Sequence, residues 1–247
     1  VFHWCNEDTI KFINENPKMA RYIVFVRRYE YYTTAIEALD WSKVDEVIMV
    51  NDYLAKGFRE RTNIDPHVIY NGVSLEDWSF KDRGHGKKVA VVGYINQKKN
   101  LPLAIQIMKK LPDDYSLHLA GEIQCGATVD YLNNICKSMK KRFYFEGRID
   151  NMNMWLYDKN YLLSTAISEG SPNNAIEAMA KGIKPVVHNW AGAREQFGDY
   201  VFDTVEEAVE MILPESYYCS SDYRDLVSAC FSRSNYEKVY KLATEGL

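Results

Sequence analysis

Between positions 161 and 188 the sequence leaves little choice of fold. YLLSTA (161–166) and IKPVVH (183–188) are apolar runs of strand length, and SEGSPNNAIEAMAKG (168–182) lies between them with helical spacing. Two strands joined through a helix run parallel, because a tight hairpin is not available to them. Ser171 reads as the N-cap and Pro172 as the first helical residue. Ala175, Ile176, Ala178 and Met179 form the apolar side, and Gly182 closes the helix. Glu169 stands just before this helix and Glu177 inside it. A carboxylate on each side of a helix start has a chemical meaning. The unpaired N–H groups there attract phosphate, and the carboxylates accept hydrogen bonds from hydroxyls such as sugars and riboses carry. Each part also has a plain structural reading: capped helices follow strands in every α/β protein, and Glu177 alone fits a solvated surface acid.

The rest of the chain repeats the alternation. Strands are expected at 1–5, 22–26, 44–50 and 67–70. The first is followed by a helix capped by Asp8, and RRYEYY (27–32) leads into a helix through Ala35, Ile36 and Leu39. Asn51 caps a helix with Leu54 and Phe58 on its apolar side. Asn71-Gly72 and the polar stretch to Lys87 mark a boundary. Beyond it, a strand ends at Gly93, the loop carries Lys98 and Lys99, and Asn100 caps a helix with Pro102 in its first turn. Further strands, 116–120 and 143–145, run into Gly121 and Gly147, with a helix at about 129–139 between them. A short helix carries Glu195, Val201-Phe202 is a last strand, and Thr204 caps the next helix. This is parallel α/β architecture. Glycines at the carboxyl ends of such strands let a ligand approach the backbone, and the two lysines offer charge to phosphate, although loop lysines as often serve solubility. The expected domains are 1–76, 77–230 and a C-terminal helical stretch, 231–247.

Composition narrows the class. Of 247 residues 47% are hydrophobic, enough for a real core, and the net charge of −4 gives no argument for a nucleic-acid partner. No apolar run approaches the roughly 20 residues of a membrane span. Five cysteines with no CxxC pair suggest neither a disulfide framework nor a zinc site, and a reducing cytosol is the simplest home. No HExxH and no D-x-D triplet supports a metal. The start at Val1, directly in an apolar stretch, is what a fragment would show.

The motifs fall in the order of a known family. VIYNGVSLEDW (68–78), VVGYINQKKN (91–100), SLHLAGE (116–122), FYFEGRI (143–149), EGSPNNAIEAMAKGIKPVV (169–187) and WAGAREQFGD (190–199) together resemble the retaining nucleotide-sugar glycosyltransferases of the GT-B fold. The resemblance covers about 70–230. It implies two Rossmann-like domains with parallel sheets, the first incomplete here. It also implies an enzyme that moves a sugar from a nucleotide diphosphate sugar to a glycan or lipid-linked acceptor, with retention, without metal or cofactor. By position, Lys99 is similar to the lysine that neutralises the donor diphosphate, with Lys98 beside it, and Gly93 to the loop glycine. Glu169 matches the acid that holds the donor sugar, Gly170 and Ser171 the backbone that meets phosphate or sugar, and Glu177 the acid that binds ribose. Lys99 and Glu169 are the expected catalytic residues. The implied location is the cytoplasm or a membrane surface, with peripheral association. Tyr94 departs from the family, which usually has arginine there. A nucleotide-sugar epimerase or phosphorylase on the same fold and a non-catalytic nucleotide-sugar-binding or scaffold module remain alternatives.

Overall fold

The computed structural model describes residues 1–137 and 142–244. The chain divides into two compact units. One comprises Val1–Gly72, Glu169–Ser171 and the stretch from Arg233 onward; the other comprises Val73–Ser168 and Pro172–Ser232. Among the described residues the strands form two wholly parallel sheets, of three and six strands.

The first unit opens with α1 (Glu7–Glu15), β1 (Ile23–Val26), the one-turn helices α2 (Arg28–Tyr31) and α3 (Ala35–Ala38), β2 (Glu46–Met49), α4 (Asp52–Thr62) and β3 (His67–Val68). The strands lie in the order β1-β2-β3, with Ile23 opposite Glu46 and Ile48 opposite His67. Three local expectations need correction. Residues 1–5 are not a strand: only Phe2 bridges to Val24 before the chain turns into α1. That helix is capped by Asn6, not Asp8, since Asn6 Oδ1 accepts from the Thr9 N–H at 3.0 Å. The helix expected after RRYEYY is α3, which stops before Leu39, and RRYEYY itself forms a further turn, α2, the two being separated at 32–34. There the β-branched Thr33 turns its hydroxyl back to the Glu30 carbonyl at 2.9 Å, a local bond that competes with helix continuation. Asn51 does cap α4, accepting from Leu54 N–H at 3.0 Å. Val24, Val26, Val47, Met49, Ile13, Leu54 and Phe58 close one face of the sheet.

The second unit contains β4 (Lys88–Val92), α5 (Leu101–Lys110), β5 (Ser116–Ala120), α6 (Gly126–Ile135), β6 (Phe143–Gly147), α7 (Met152–Trp155), β7 (Tyr161–Ser164), α8 (Asn173–Ala180), β8 (Lys184–His188), α9 (Ala193–Phe197), β9 (Val201–Phe202), α10 (Val205–Ile212) and α11 (Ser220–Cys230). Its strand order is β6-β5-β4-β7-β8-β9. The order reverses between β4 and β7, which is the doubly wound arrangement, and ligands of such sheets bind at the carboxyl ends of the strands on either side of that reversal. The buried faces of β4, β5 and β7 and the apolar side of α5 share one core through Val89, Val91, Leu117, Leu119, Leu163 and Ile105. Thr204 and Glu207 form a capping box at α10. Asn100 does not cap α5 through its side chain. It sits in the left-handed region with φ 47°, and the preceding turn is capped instead by Asn96, whose Oδ1 accepts from Lys99 N–H at 3.1 Å. α6 begins earlier than expected, at Gly126; of the predicted span, Ser138 and Met139 lie outside the described residues.

The last helix, α12 (Ser234–Thr244), belongs to the first unit. Val239, Leu242 and Ala243 pack on Ile23, Phe25, Ile48 and Ile69, the sheet face opposite α4. Asn235 and Tyr236 donate to the carbonyls of Tyr70 and Gly72 at 3.1 Å each.

Candidate nucleotide-sugar site

The reversal point of the six-stranded sheet gathers several of the residues singled out by sequence. β4 ends at Val92, and Gly93 follows with φ 144°. Its N–H reaches the Ala120 carbonyl at 2.9 Å, and the Gly121 N–H reaches the Gly147 carbonyl at 2.7 Å, so the three strand-end glycines are laced side by side. Gly121 has no room for a side chain: a Cβ there would lie 1.9 Å from the Gly93 carbonyl oxygen. The Lys99 side chain lies across Gly93, its Nζ 3.1 Å from where a Cβ would stand on that residue. The lysine loop is tied to the loop after β7. Thr165 Oγ1 donates to the Lys99 carbonyl at 2.9 Å, and the Ile167 N–H to the Lys98 carbonyl at 3.0 Å. Tyr94 is exposed.

α8 starts at Asn173, one residue later than expected. Pro172 is extended (φ −78°, ψ 102°) and occupies the cap position without a side-chain bond, and Ser171 is not the N-cap. Asn174, in the first turn, donates from Nδ2 to the Val92 carbonyl at 2.6 Å and so fixes the helix start against the end of β4. One turn on, Glu177 is half-buried, and no hydrogen bond or ion pair holds its carboxylate. Burial alone pushes its carboxyl up to about 7.

The other end of α8 is crowded with donors. Gly182 ends the helix, its N–H bonded to the Met179 carbonyl at 2.9 Å. Arg224 donates to the Ala180 carbonyl and, at 3.0 and 3.1 Å, to those of Leu75 and Trp78. Arg83 donates to the carbonyls of Lys181, at 3.1 Å, and Lys159, at 2.6 Å. The fully buried Lys181 ammonium is held by Ser79 O and Oγ, at 3.0 and 2.6 Å, and by Asn153 Oδ1. Cations at a helix C-terminus complement its dipole.

Glu169, Gly170 and Ser171 group with the first unit. Asn51 Nδ2 donates to the Gly170 carbonyl at 3.2 Å. Asn71 donates from its N–H to Ser171 Oγ at 3.3 Å and from Nδ2 to the Ser171 carbonyl at 2.9 Å. The Ser171 hydroxyl expected to cap α8 is thus taken by a backbone donor one hundred positions away. Gly170 is buried against Val50 and Arg28, with only 3.1 Å between the Val50 methyl and the position of a Cβ. Gly93, Lys98, Lys99 and Glu177 therefore belong to one unit and Glu169–Ser171 to the other. Sequence reasoning missed Thr165, Asn174, Asn51 and Asn71 as positioning groups. All four act on residues distant in sequence, Asn174 on Val92 included, so no local signal marks these bonds, although Asn51 is legible as a helix cap. Among the described residues no cluster of three His, Cys, Asp or Glu side chains is fit to hold a metal, and no helix is long and apolar enough to cross a membrane.

Known structures share this architecture. Anabaena HepE, solved in complex with UDP, superposes with a TM-score of 0.78 at 16% identity, over 94% of this chain and 73% of HepE. Staphylococcus aureus TarM gives 0.78 at 17% identity, over 95% of this chain and 52% of TarM. The pneumococcal O-GlcNAc transferase GtfA, in complex with UDP and GlcNAc, gives 0.71 at 13% identity, over 92% and 53%. The chain thus spans about half the length of TarM and GtfA, and at these identities the likeness is one of fold. A search of curated protein sequences gives no match. The family model for glycosyl transferases group 1 matches residues 76–212, more than half of the chain and the whole six-stranded sheet. With its two parallel α/β units, the chain belongs to the glycosyl transferases group 1 family and has the GT-B fold.

Proposed function

We propose that this chain takes part in transfer of a sugar from a nucleotide diphosphate sugar to a glycan or lipid-linked acceptor, with retention and without metal. Residues 77–230 form the donor-binding domain in this reading, and 1–76 with 231–247 the acceptor-side domain. The observation that carries it is Glu177: a half-buried carboxylate without a partner, one turn into the helix that begins beside Gly93. A group kept desolvated and unpaired costs stability, and a ribose, with two adjacent hydroxyl donors, answers it. Lys99, lying over Gly93, supplies charge where the diphosphate departs, and Lys98 assists in place of the arginine that Tyr94 replaces. Glu169 takes the sugar hydroxyls, and Gly170 and Ser171 offer backbone N–H groups. In the reaction the bond from the sugar's anomeric carbon to the diphosphate oxygen breaks and one to the acceptor oxygen forms. Stabilising the leaving diphosphate is the main electrostatic task, which lysine and a helix start can perform. HepE is known with UDP-glucose and TarM with UDP and α-GlcNAc-glycerol, which makes uridine the first base to try. A site at the cytoplasmic face of a membrane, reached by peripheral association, suits a lipid-linked acceptor.

Calorimetric titration with UDP, GDP and ADP tests the reading. One of them is expected to bind, and Glu177→Ala to weaken it by about 1–3 kcal/mol, the range for a lost charged hydrogen bond. Binding of none, or an unchanged affinity in the variant, would overturn the assignment. Product analysis by NMR with the matching nucleotide sugar separates transfer from epimerisation and from binding without turnover.

A further inference from the structure

The RRYE motif carries a feature that the donor reading does not use. Glu30 is only 3% exposed, yet its Oε2 has no hydrogen-bond partner. It lines a groove of about 880 Å³ bounded by α1, α2 and α3, entirely within the first unit. Its lining takes in Cys5–Asp8, Tyr29 and Glu30, the residues that follow the Phe2 bridge and β1 in the chain. At its floor is Cys5, fully buried, whose thiol is pushed up to about 12 by burial first and by Glu30 second; it is a neutral neighbour, not a counter-ion. The counter-charge is Arg27, whose charged form Glu30 favours, but Arg27 leaves Oε2 without a donor, and a buried acceptor without one is costly unless a donor arrives from outside the fold.

The rest of the lining indicates what that donor is. Three further acids, Glu7, Asp8 and Glu15, face one lysine, Lys11, so the groove repels phosphate and carboxylate and favours a cation. An ammonium group meets both demands at once, carrying positive charge and three N–H donors for Oε2 and its neighbours. The body that carries it must be polar and compact. Asn6, whose Oδ1 is committed to the α1 cap, turns the amide nitrogen to other use, and Thr34 adds a hydroxyl. Tyr29, 68% exposed at the rim, offers a ring face on which the C–H side of a sugar stacks. The geometry points to this groove as a binding site for an amino sugar, with its ammonium on Glu30 and its hydroxyls along the amide and hydroxyl lining. The inference stands on the first unit alone and does not depend on the donor reading.

The test is a titration of the full chain followed by ¹H–¹⁵N NMR, reading the amides of Cys5, Thr33 and Thr34. Glucosamine is expected to shift them saturably, at roughly millimolar affinity or better. Glucose and N-acetylglucosamine, which lack the ammonium, are expected to bind at least about tenfold more weakly, the factor a charged hydrogen bond supplies. Glu30→Gln, if its melting curve matches the parent, is expected to erase the difference between glucosamine and glucose. Absence of saturable shifts with glucosamine, or equal binding of glucosamine and N-acetylglucosamine by the unsubstituted chain, overturns the proposal whether or not the variant folds. Retained discrimination in a folded Glu30→Gln overturns the role of that carboxylate.

Discussion

Helix α8 treats charge in opposite ways at its carboxyl end and in its middle. At the carboxyl end the buried Lys181 and the arginines Arg83 and Arg224 have carbonyl or side-chain oxygens for their donors. One turn into the helix Glu177 is buried to a lesser degree and has none. Burial moves both groups against their charged forms. It draws Lys181 down to about 8, with Arg83 and Arg224 adding to the effect, and it pushes Glu177 up to about 7. A buried charge that serves the fold is surrounded by its partners at all times. One that serves a ligand is left waiting, and the fold bears the cost until the ligand comes. The contrast therefore separates architecture from function inside a single eight-residue helix.

The comparison breaks most visibly at the carboxyl end. Arg224→Ala strips the carbonyls of Leu75, Trp78 and Ala180 of their donor and is expected to cost about 4 kcal/mol in a denaturant titration. A loss below about 1 kcal/mol would mean that water replaces the guanidinium and that the end is not buried as described. Glu177→Gln should act in the other direction. Below the ordinary glutamate range the carboxyl is protonated folded or unfolded, and nothing differs. As pH rises toward 7 the unfolded chain releases its proton while the folded one keeps it, so stability falls. Above about 7 the deficit levels off. The variant is therefore expected to match the parent at pH 4 and to exceed it by up to about 3 kcal/mol at pH 8. Equal stability of the two at pH 8 would show that the carboxylate is paired after all. The smallest effect belongs to Asn174→Ala, which frees the helix start from Val92. About 1 kcal/mol of stability is expected to go with it, together with a severalfold loss of nucleotide affinity; unaltered affinity would detach the helix position from binding.

Much of this arrangement was legible before any coordinates. The strand–helix alternation gave the parallel sheets, because periodicity and strand-end glycines are local signals: Gly93, Gly121 and Gly147 do end adjacent strands, and Asn51 and Thr204 do cap their helices. The failures are equally physical. Ser171 looked like a cap because nothing in its neighbourhood announces that Asn71 takes its hydroxyl. The break between α2 and α3 came from a side-chain bond of Thr33 that competes with helix propensity. The partners of Lys181, Arg83 and Arg224 are set by contacts dozens of residues away, so their structural role could not be read. For the same reason Glu177 and Glu30 could be named as acids, but not that the Glu177 carboxylate and Glu30 Oε2 have no hydrogen-bond donor.

The placement of α12 bears on how the protein can be dissected. The apolar side of that helix covers Ile23, Phe25, Ile48 and Ile69, although more than 160 positions separate it from the nearest of them. An expression clone that stops at Ser232 would leave this four-residue face bare. Aggregation of such a shortened chain would then report a missing lid on the first sheet rather than an unstable six-stranded one.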